Sequence, residues 1–315
     1  MKIVVTGGAG FIGSNVVHAL VAGEVADVVV VDDLSTGYAR NIDGLDVDLR
    51  VGSVLDAPLL TDALRGAHSV VHLAALGSVP RSIADPLATH EANATGTLRV
   101  LEAARTEGIH VVVASSSSVY GANPVLPREE SLRPQPVSPY AASKLAAESY
   151  TLAFQRVYDL PALTFRLFNV YGPRQAAGHV YAAVVPTFVS RALAGQSLVV
   201  HGDGRQTRDF TFVDAVVEVL VAAAIHRRTA HDPVNLAFGT RSSLLDVIAL
   251  VVAATGRPVE VTHIDPRPGD VRDSQGDNTL LRVLFPDVGP VSLRAGIEQT
   301  VAWAQSQARP NPVMA

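Results

Sequence analysis

Short runs of β-branched residues, continuously apolar rather than alternating with polar ones, recur along the first half of the chain. A strand of a parallel sheet that is buried on both faces has this pattern, whereas a half-exposed strand alternates. The runs predict strands at Lys2–Thr6, Asp27–Val31, Val47–Val51, Ser69–Leu73, His110–Ala114 and Ala162–Leu167. The segments between them predict covering helices near Phe11–Ala22, Pro58–Leu64, Pro86–Thr106 and Pro139–Tyr158. The pattern is that of an α/β fold with a doubly wound parallel sheet.

Beyond about Gly172 the alternation loosens into a smaller C-terminal α/β lobe. Helices are predicted at Tyr181–Ala194, Val213–Ala224, Ser243–Ala254 and near Leu293–Gln305, and strands at Ser197–Val200 and Val259–His263. We therefore expect a larger domain over residues 1–172, to which some later segments return. Residues 173–315 would form mainly the substrate lobe.

Composition excludes several classes of protein. The 315 residues include no cysteine, which excludes disulfides, thiol nucleophiles and cysteine-based zinc sites. The net charge of −5 comes without a basic run, so we expect no nucleic-acid partner. No apolar stretch approaches the ~20 residues of a membrane helix, and the short run at Ile3–Val5 is no signal peptide, so we expect no membrane partner and a cytoplasmic protein. The scattered histidines predict no metal site.

Three glycines lie between the first strand and the first helix. Gly7, Gly10 and Gly13 have GxxGxxG spacing, which permits a tight turn, close approach of a pyrophosphate and close packing of helix on strand. Asp32 ends the second strand, where an acid binds the adenosine ribose hydroxyls and repels a 2′-phosphate. With Asp33 beside it, this Rossmann-like arrangement predicts NAD as the cofactor; the alternative is an ordinary turn with two solvated acids.

Tyr140 and Lys144 are four residues apart, and the Ser138-Pro139 pair before them is a helix start. Positions i and i+4 are neighbours on one helix face, so the ammonium would favour the phenolate and lower the pKa of the tyrosine. The serine run from Ser115 to Ser118 follows an apolar strand at the sheet edge where ligands bind. One hydroxyl of that run would share a substrate oxygen with Tyr140; Ser115 and Ser118 can also be plain loop residues.

These motifs occur together with Val71-His-Leu-Ala-Ala75, Val119-Tyr-Gly121, Arg166-Leu-Phe-Asn-Val-Tyr-Gly-Pro-Arg174, Tyr181-Ala-Ala-Val-Val-Pro186, Gly202-Asp-Gly-Arg-Gln-Thr-Arg-Asp-Phe210 and Arg267-Pro-Gly-Asp270. In this order they resemble the extended short-chain dehydrogenases over nearly the whole chain. Within that family the chain is most similar to the UDP-sugar 4-epimerases. The resemblance implies isomerase activity through a transient 4-keto sugar, with NAD as the cofactor.

The resemblance also assigns roles to residues. Catalysis would be carried by Ser116, Tyr140 and Lys144. NAD would be bound by Gly7, Gly10, Phe11, Ile12, Gly13, Asp32, Asp33, Leu34, Ser35, Thr36, Gly37, Ser53, Val54, Leu73, Ala74, Ala75, Asn93, Ser115, Tyr140 and Lys144. The UDP-sugar would be bound by Gly77, Ser78, Arg81, Ser116, Ser117, Asn169, Ala183, Val184, Val199, His201, Arg208, Arg267, Asp270 and Ser274. Val184 and Val199 can equally be core residues.

Two positions depart from the family pattern. Ser53 stands where an acid often contacts adenine, and His201 stands where an aromatic ring commonly stacks on uracil. Ser117 and Ser118 occupy positions where dehydratases and decarboxylases carry an acid, which favours epimerisation. UDP-glucuronate 4-epimerase, a 4,6-dehydratase or decarboxylase, and a non-catalytic NAD-binding regulator are the alternatives.

Ser274 aligns with a position that carries a bulky tyrosine in some family members, so a small residue there leaves room for an N-acetyl group. With the Leu76–Arg81 segment, it predicts activity on UDP-GlcNAc and UDP-GalNAc, together with UDP-Glc and UDP-Gal. Surplus apolar residues on the helices near Pro86–Thr106 and Pro139–Tyr158 predict a homodimer through a four-helix bundle.

Overall fold

The computed structural model describes residues 1–177, 182–266 and 271–308. Its strands are Lys2–Thr6 (β1), Asp27–Asp32 (β2), Asp48–Val51 (β3), Ser69–His72 (β4), His110–Ser116 (β5), Ala162–Leu167 (β6), Val170–Tyr171 (β7), Leu198–His201 (β8), Thr207–Arg208 (β9), Thr211–Phe212 (β10), Val234–Leu236 (β11), Ser242–Ser243 (β12) and Val261–Ile264 (β13). Its α-helices are Phe11–Ala22 (α1), Ala57–Leu64 (α2), Val79–Ala84 (α3), Pro86–His90 (α4), Gly96–Glu107 (α5), Pro139–Tyr158 (α6), Val184–Leu193 (α7), Val213–Ile225 (α8), Leu244–Thr255 (α9), Thr279–Leu284 (α10) and Leu293–Ala308 (α11).

Seven parallel strands form one sheet in the order β11-β6-β5-β4-β1-β2-β3. The order reverses direction at β1, as in a doubly wound Rossmann-like sheet, so the fold class predicted from the sequence is confirmed. The carboxyl ends of all seven strands lie along one edge. Polar residues that follow β1, β2, β4, β5 and β6 are thereby brought to the same edge.

Both faces of the sheet are buried, which explains the continuously apolar strands. Val30 and Val112 contribute to the core on one face, and Val29 and Val113 to the core on the other. All four valines are at most 6% exposed. Successive side chains of a strand point to opposite faces of the sheet, so consecutive valines lie in different cores. Because both faces are covered, neither set of valines is exposed to water.

Later segments return to the large sheet. β11 pairs with β6 as the edge strand, and α8 packs against α1, β4 and β5. Elsewhere in the second half, β8 is parallel to β13, and two further two-stranded pairs join β7 with β10 and β9 with β12. Helices α7, α9 and α11 pack together beside them.

The helix predicted over Pro86–Thr106 is wrong as one continuous α-helix. It is divided into α4, a π-helical turn at Glu91–Thr95, and α5. The turn buries Asn93, whose amide bonds both the N–H and the C=O of Leu76. The wider π-helical turn places the Asn93 side chain where it can form both hydrogen bonds with the Leu76 backbone.

Candidate active site

The glycine loop lies where the sequence predicts it, between β1 and α1. Gly7 has a φ of +71°, and a Cβ there would lie 2.6 Å from the Ala74 nitrogen. A Cβ on Gly13 would lie 2.1 Å from the Gly7 carbonyl oxygen. Glycine is therefore required at both positions, once for the left-handed turn and once for the close packing of helix on loop.

Asp32 is buried at the end of β2 and is tied to the loop it faces. Its carboxylate accepts hydrogen bonds from the backbone N–H groups of Ala9 at 2.9 Å and Leu34 at 2.8 Å. Burial raises the pKa of this carboxyl, while the two N–H groups act in the opposite direction. Asp33, by contrast, is exposed and accepts hydrogen bonds from Ser35. Asp32 thus stabilises the glycine loop through hydrogen bonds and is also a candidate ligand for the ribose.

A cavity of about 620 Å³ runs along the carboxyl edge of the sheet, from the glycine loop to Tyr140 and Asn169. Most residues assigned to the cofactor by the resemblance line it: Gly7, Gly10, Phe11, Ile12, Gly13, Asp32, Asp33, Ser35, Thr36, Ser53, Val54, Leu73, Ala74, Ala75, Ser115, Tyr140 and Lys144. Leu34, Gly37 and Asn93 are not in its lining. Asn93 is fully buried behind the wall and bonds Ser143 in addition to Leu76.

The cavity lining includes residues that the sequence interpretation omitted. Glu91 and Ala92 come from the π-helical turn, and Gln175 follows β7. Gln175 donates a hydrogen bond to the Val170 carbonyl oxygen at 3.2 Å. The sequence interpretation quoted no motif that includes these three positions.

Tyr140 and Lys144 project from one face of α6 into the inner end of the cavity. Ser138 caps this helix by accepting the Ala141 N–H, and Pro139 occupies its first turn, as predicted. Lys144 is 6% exposed, and its ammonium donates to the Ala114 carbonyl oxygen at 2.9 Å. Burial lowers the pKa of Lys144 to about 8. The lysine is therefore held in place by this hydrogen bond, and its ammonium form still predominates at pH 7.

Ser116 stands beside the tyrosine at the end of β5. Burial raises the pKa of the Tyr140 hydroxyl, and the hydrogen bond with the Ser116 side chain opposes that rise. The Ser116 oxygen also accepts a hydrogen bond from the Ser118 backbone N–H at 3.2 Å. The three residues predicted to be catalytic are thus brought together.

Fewer of the residues assigned to the UDP-sugar line this cavity than of those assigned to the cofactor. Gly77, Ser116 and Asn169 line the cavity, and Asn169 has a φ of +28°. Arg208 donates to the carbonyl oxygens of Thr207 and Arg272, at 2.9 and 2.8 Å. The others that the structure describes lie outside the lining: Ser78, Arg81, Ser117, Ala183, Val184, Val199, His201, Arg208 and Ser274. Arg267 and Asp270 lie outside the described residues.

Helix composition bears on membrane association. Among the helices in the described ranges, none combines the length and apolar character required to span a bilayer.

Comparison with known proteins gives a family match over most of the chain and relatives that cover nearly all of it. The model of the "NAD dependent epimerase/dehydratase family" matches residues 3–237. A UDP-glucose 4-epimerase of Mycolicibacterium smegmatis is 38% identical over 316 residues, covering 98% of this chain and 100% of that protein. Among solved structures, a UDP-N-acetylglucosamine 4-epimerase from Methanobrevibacter ruminantium in complex with UDP-N-acetylmuramic acid superposes with a TM-score of 0.92. It is 35% identical, and the match covers 97% of this chain and 98% of that one. A UDP-glucose 4-epimerase of Thermus thermophilus in complex with NAD gives a TM-score of 0.88 at 35% identity, with 97% and 99% covered.

Proposed function

Because the chain belongs to the NAD dependent epimerase/dehydratase family, we propose that it interconverts UDP-sugars that differ in configuration at C4. The observation that carries the proposal is the grouping of Tyr140, Lys144 and Ser116 at the inner end of the cavity, with serines in place of an acid at positions 117 and 118. A site that lacks that acid removes and returns hydrogen at one carbon but has no group to expel a neighbouring hydroxyl.

NAD is the cofactor of this family, and the residues present fit it. The glycine loop leaves no room for a Cβ at Gly7 or Gly13, and Asp32 stands at the ribose position of a Rossmann-like site. When bound, NAD supplies the acceptor and donor of the hydride at the sugar C4. The α1 N-terminus would hold the pyrophosphate with its unpaired N–H groups.

Tyr140 acts as the general base on the sugar 4-hydroxyl. Burial raises the pKa of its hydroxyl, so the phenolate requires a compensating positive charge, and the Lys144 ammonium one helical turn away supplies it. Ser116 donates a hydrogen bond to the same sugar oxygen and holds it near Tyr140. After the 4-keto sugar has turned in the site, Tyr140 returns the proton to the oxygen on C4.

The nucleotide would be held by the smaller lobe. In this proposal Arg208 and Arg267 neutralise the diphosphate, because a guanidinium fork matches phosphate oxygens. Val184, Val199 and His201 line the uracil site, and Asp270 binds the uridine ribose. Domain division at about residue 172 would place the cofactor in the larger domain and the nucleotide in the lobe.

The activity test is a product assay with UDP-glucose and UDP-N-acetylglucosamine. We expect formation of the galacto product without net accumulation of NADH, and loss of turnover in Y140F. If neither substrate is converted, the proposal of 4-epimerisation is wrong. Parallel incubations with UDP-glucuronate and mass spectrometry for loss of water or carbon dioxide test the family's other reactions.

Acceptance of the N-acetylated pair is proposed from Ser274. This residue is 7% exposed, and its N–H donates to the Thr207 carbonyl oxygen at 3.1 Å, which places it beside Arg208. The S274Y variant should lose turnover of UDP-GlcNAc more than turnover of UDP-Glc, whereas S190Y at an exposed position of α7 should change neither. Equal loss on both sugars would contradict a role in sugar selection.

We also propose a homodimer formed through a four-helix bundle, to which each chain contributes α6 and the helical segment that runs from α4 to α5. Val157 and Leu87 are 68% and 76% exposed. The V157D variant should dissociate the dimer in sedimentation velocity, whereas V283D, at an equally exposed valine of α10, should not. A parent chain that sediments as a monomer would exclude this assembly.

A further inference from the structure

A buried ion pair lies directly behind the catalytic residues. Glu148 is 2% exposed and Arg166 is 3% exposed. Arg166 Nε donates to Glu148 Oε2 at 3.0 Å, and Arg166 Nη2 donates to Glu148 Oε1 at 2.6 Å. This two-bond geometry is the strongest form of carboxylate–guanidinium contact. Neither residue belongs to the cofactor or sugar set described above.

The pair is connected to the catalytic face at two points. Tyr140, Lys144 and Glu148 are spaced by four residues and share one face of α6, so Glu148 follows the lysine by one helical turn. Ser115 pairs with Arg166 across β5 and β6, and its hydroxyl donates to Glu148 Oε2 at 2.9 Å. The pair thus lies between the helix that carries the base and the strand end that carries Ser115.

That strand end supplies the contacts of the catalytic residues. The Ala114 carbonyl oxygen, one residue before Ser115, accepts the Lys144 ammonium at 2.9 Å. Ser116, one residue after it, contacts Tyr140. The β5–β6 ladder continues through Ser116, and the hydrogen bond from Ser115 to the ion pair adds a side-chain contact to the segment that positions both members of the catalytic pair.

The charges around Lys144 make the balance of this ion pair important. His72 from β4 lies close to the lysine, and burial lowers the pKa of His72 to about 3, so it is neutral. Glu91 of the π-helical turn is exposed, and Arg105 and Glu102 on α5 pair with each other at an exposed position. Arg81 is half-buried on α3, which also packs on α6. Behind the lysine lie Glu148 and Arg166, which neutralise each other, and the half-buried Glu130, whose carboxyl also interacts with the Arg166 charge.

We propose that the Glu148–Arg166 pair is the positioning element of the catalytic face. It contacts the end of β5 through Ser115 and balances the two fully buried charges behind Lys144, so that the ammonium is the charge that acts on Tyr140. The proposal rests on the role of Tyr140 and Lys144 in the proposed function.

The test uses opposite single neutralisations. E148Q retains an acceptor for Ser115 but removes the anion that is bonded to Arg166, and the added net positive charge favours the phenolate and lowers the pKa of Tyr140. R166Q leaves the Glu148 anion unpaired at alkaline pH, which raises that pKa. Eight residues of helix span ~12 Å. Over that distance a unit charge at an effective dielectric constant of ~20–40 shifts a pKa by about half to one pH unit. The E148Q/R166Q double variant should return to the parent value.

The measurement is the ultraviolet titration of Tyr140, taken as the difference between each variant and the same variant carrying Y140F. It requires no turnover, so absence of epimerase activity would refute the proposed function without affecting this result. The pH dependence of kcat/KM gives a second readout if the enzyme is active. E102Q, which neutralises one partner of the exposed pair on α5, is the matched control and should shift neither.

Opposite shifts in the single variants and restoration in the double variant are the expected result. Shifts of the same sign, or none, would overturn the proposal. If the single variants do not fold, the R166K variant tests the proposal, because lysine keeps the positive charge but cannot form the two-bond contact. It should leave the Tyr140 midpoint unchanged and lower kcat. A shifted midpoint or an unchanged kcat in R166K would contradict the proposal.

Discussion

Replacing Gly13 with alanine is expected to disrupt the dinucleotide loop through a single steric contact. The new Cβ would lie 2.1 Å from the Gly7 carbonyl oxygen and 2.7 Å from the Gly8 Cα. All the nearest atoms are backbone, so no side chain can rotate away. Either α1 moves outward or the loop proposed to hold the pyrophosphate changes shape.

The magnitude follows from two opposing effects. Forcing a methyl group into a filled position costs about 1–3 kcal/mol, and the rigid backbone places this site at or above the upper end. Alanine in place of glycine inside a helix returns about 1 kcal/mol. The net loss is therefore about 2 kcal/mol, divided between the free energy of unfolding and the free energy of NAD binding. If it falls wholly on binding, affinity drops about 30-fold.

Calorimetric titration with NAD and thermal unfolding of the same samples measure the two parts. G10A is a graded comparison, because its Cβ would lie 3.2 Å from the Gly7 carbonyl oxygen, a contact that a small shift relieves. G289A is the control, since nothing lies within 4 Å of its Cβ. If G13A matched G289A in both NAD affinity and unfolding midpoint, the steric reasoning would be refuted.

Three further predictions concern buried titratable groups. D32N offers one acceptor oxygen where the carboxylate accepts two backbone N–H groups, so it should lose about 1–3 kcal/mol of stability. D33N, at an exposed site, should be nearly neutral in unfolding, and equal losses would contradict the difference. Burial lowers the pKa of Lys144 to about 8 from 10.5, which destabilises the fold below pH ~8 and less as pH rises toward 10.5. K144M should therefore be more stable than the parent in urea at pH 7 by a few kcal/mol, with a gap that closes by pH ~10.5; a gap independent of pH would count against this. His72, with its pKa lowered to about 3 from 6.5, should remove stability as pH falls from 6.5 toward 3, so H72Q should unfold with a flatter acid dependence, and parallel curves would exclude His72 as a source.

Sequence reasoning located most strands of the sheet well, because a strand that is buried on both faces is a continuous apolar run in the sequence. Lys2–Thr6 and Ala162–Leu167 match their predicted bounds, as do the helices Phe11–Ala22 and Pro139–Tyr158. Strand β11 escaped notice because it has three residues, with Asn235 in the middle. That asparagine is fully buried through bonds to the Tyr120 hydroxyl and the Arg128 carbonyl oxygen, contacts more than 100 residues away in sequence.

The candidate site follows the same distinction between local and distant signals. The glycine spacing and the Tyr140–Lys144 pair are local patterns, so the sequence alone predicts them. The contact of Lys144 with the Ala114 carbonyl oxygen and the pairing of Glu148 with Arg166 depend on which strands are neighbours in the sheet. Sequence spacing contains no information about that neighbourhood until the strand order is known.

The return of Val234–Leu236 to the edge of the sheet bears on how the chain is made. During synthesis the first six strands emerge before the lobe, but β6 keeps an open edge until residue 236 has left the ribosome. Helix α8, which covers α1, emerges only shortly before it. A fragment cut at residue 172 would end with Phe165 and its neighbours unpaired along one side, a surface prone to joining other chains. For expression of the cofactor-binding part alone, the useful end point therefore lies after the seventh strand.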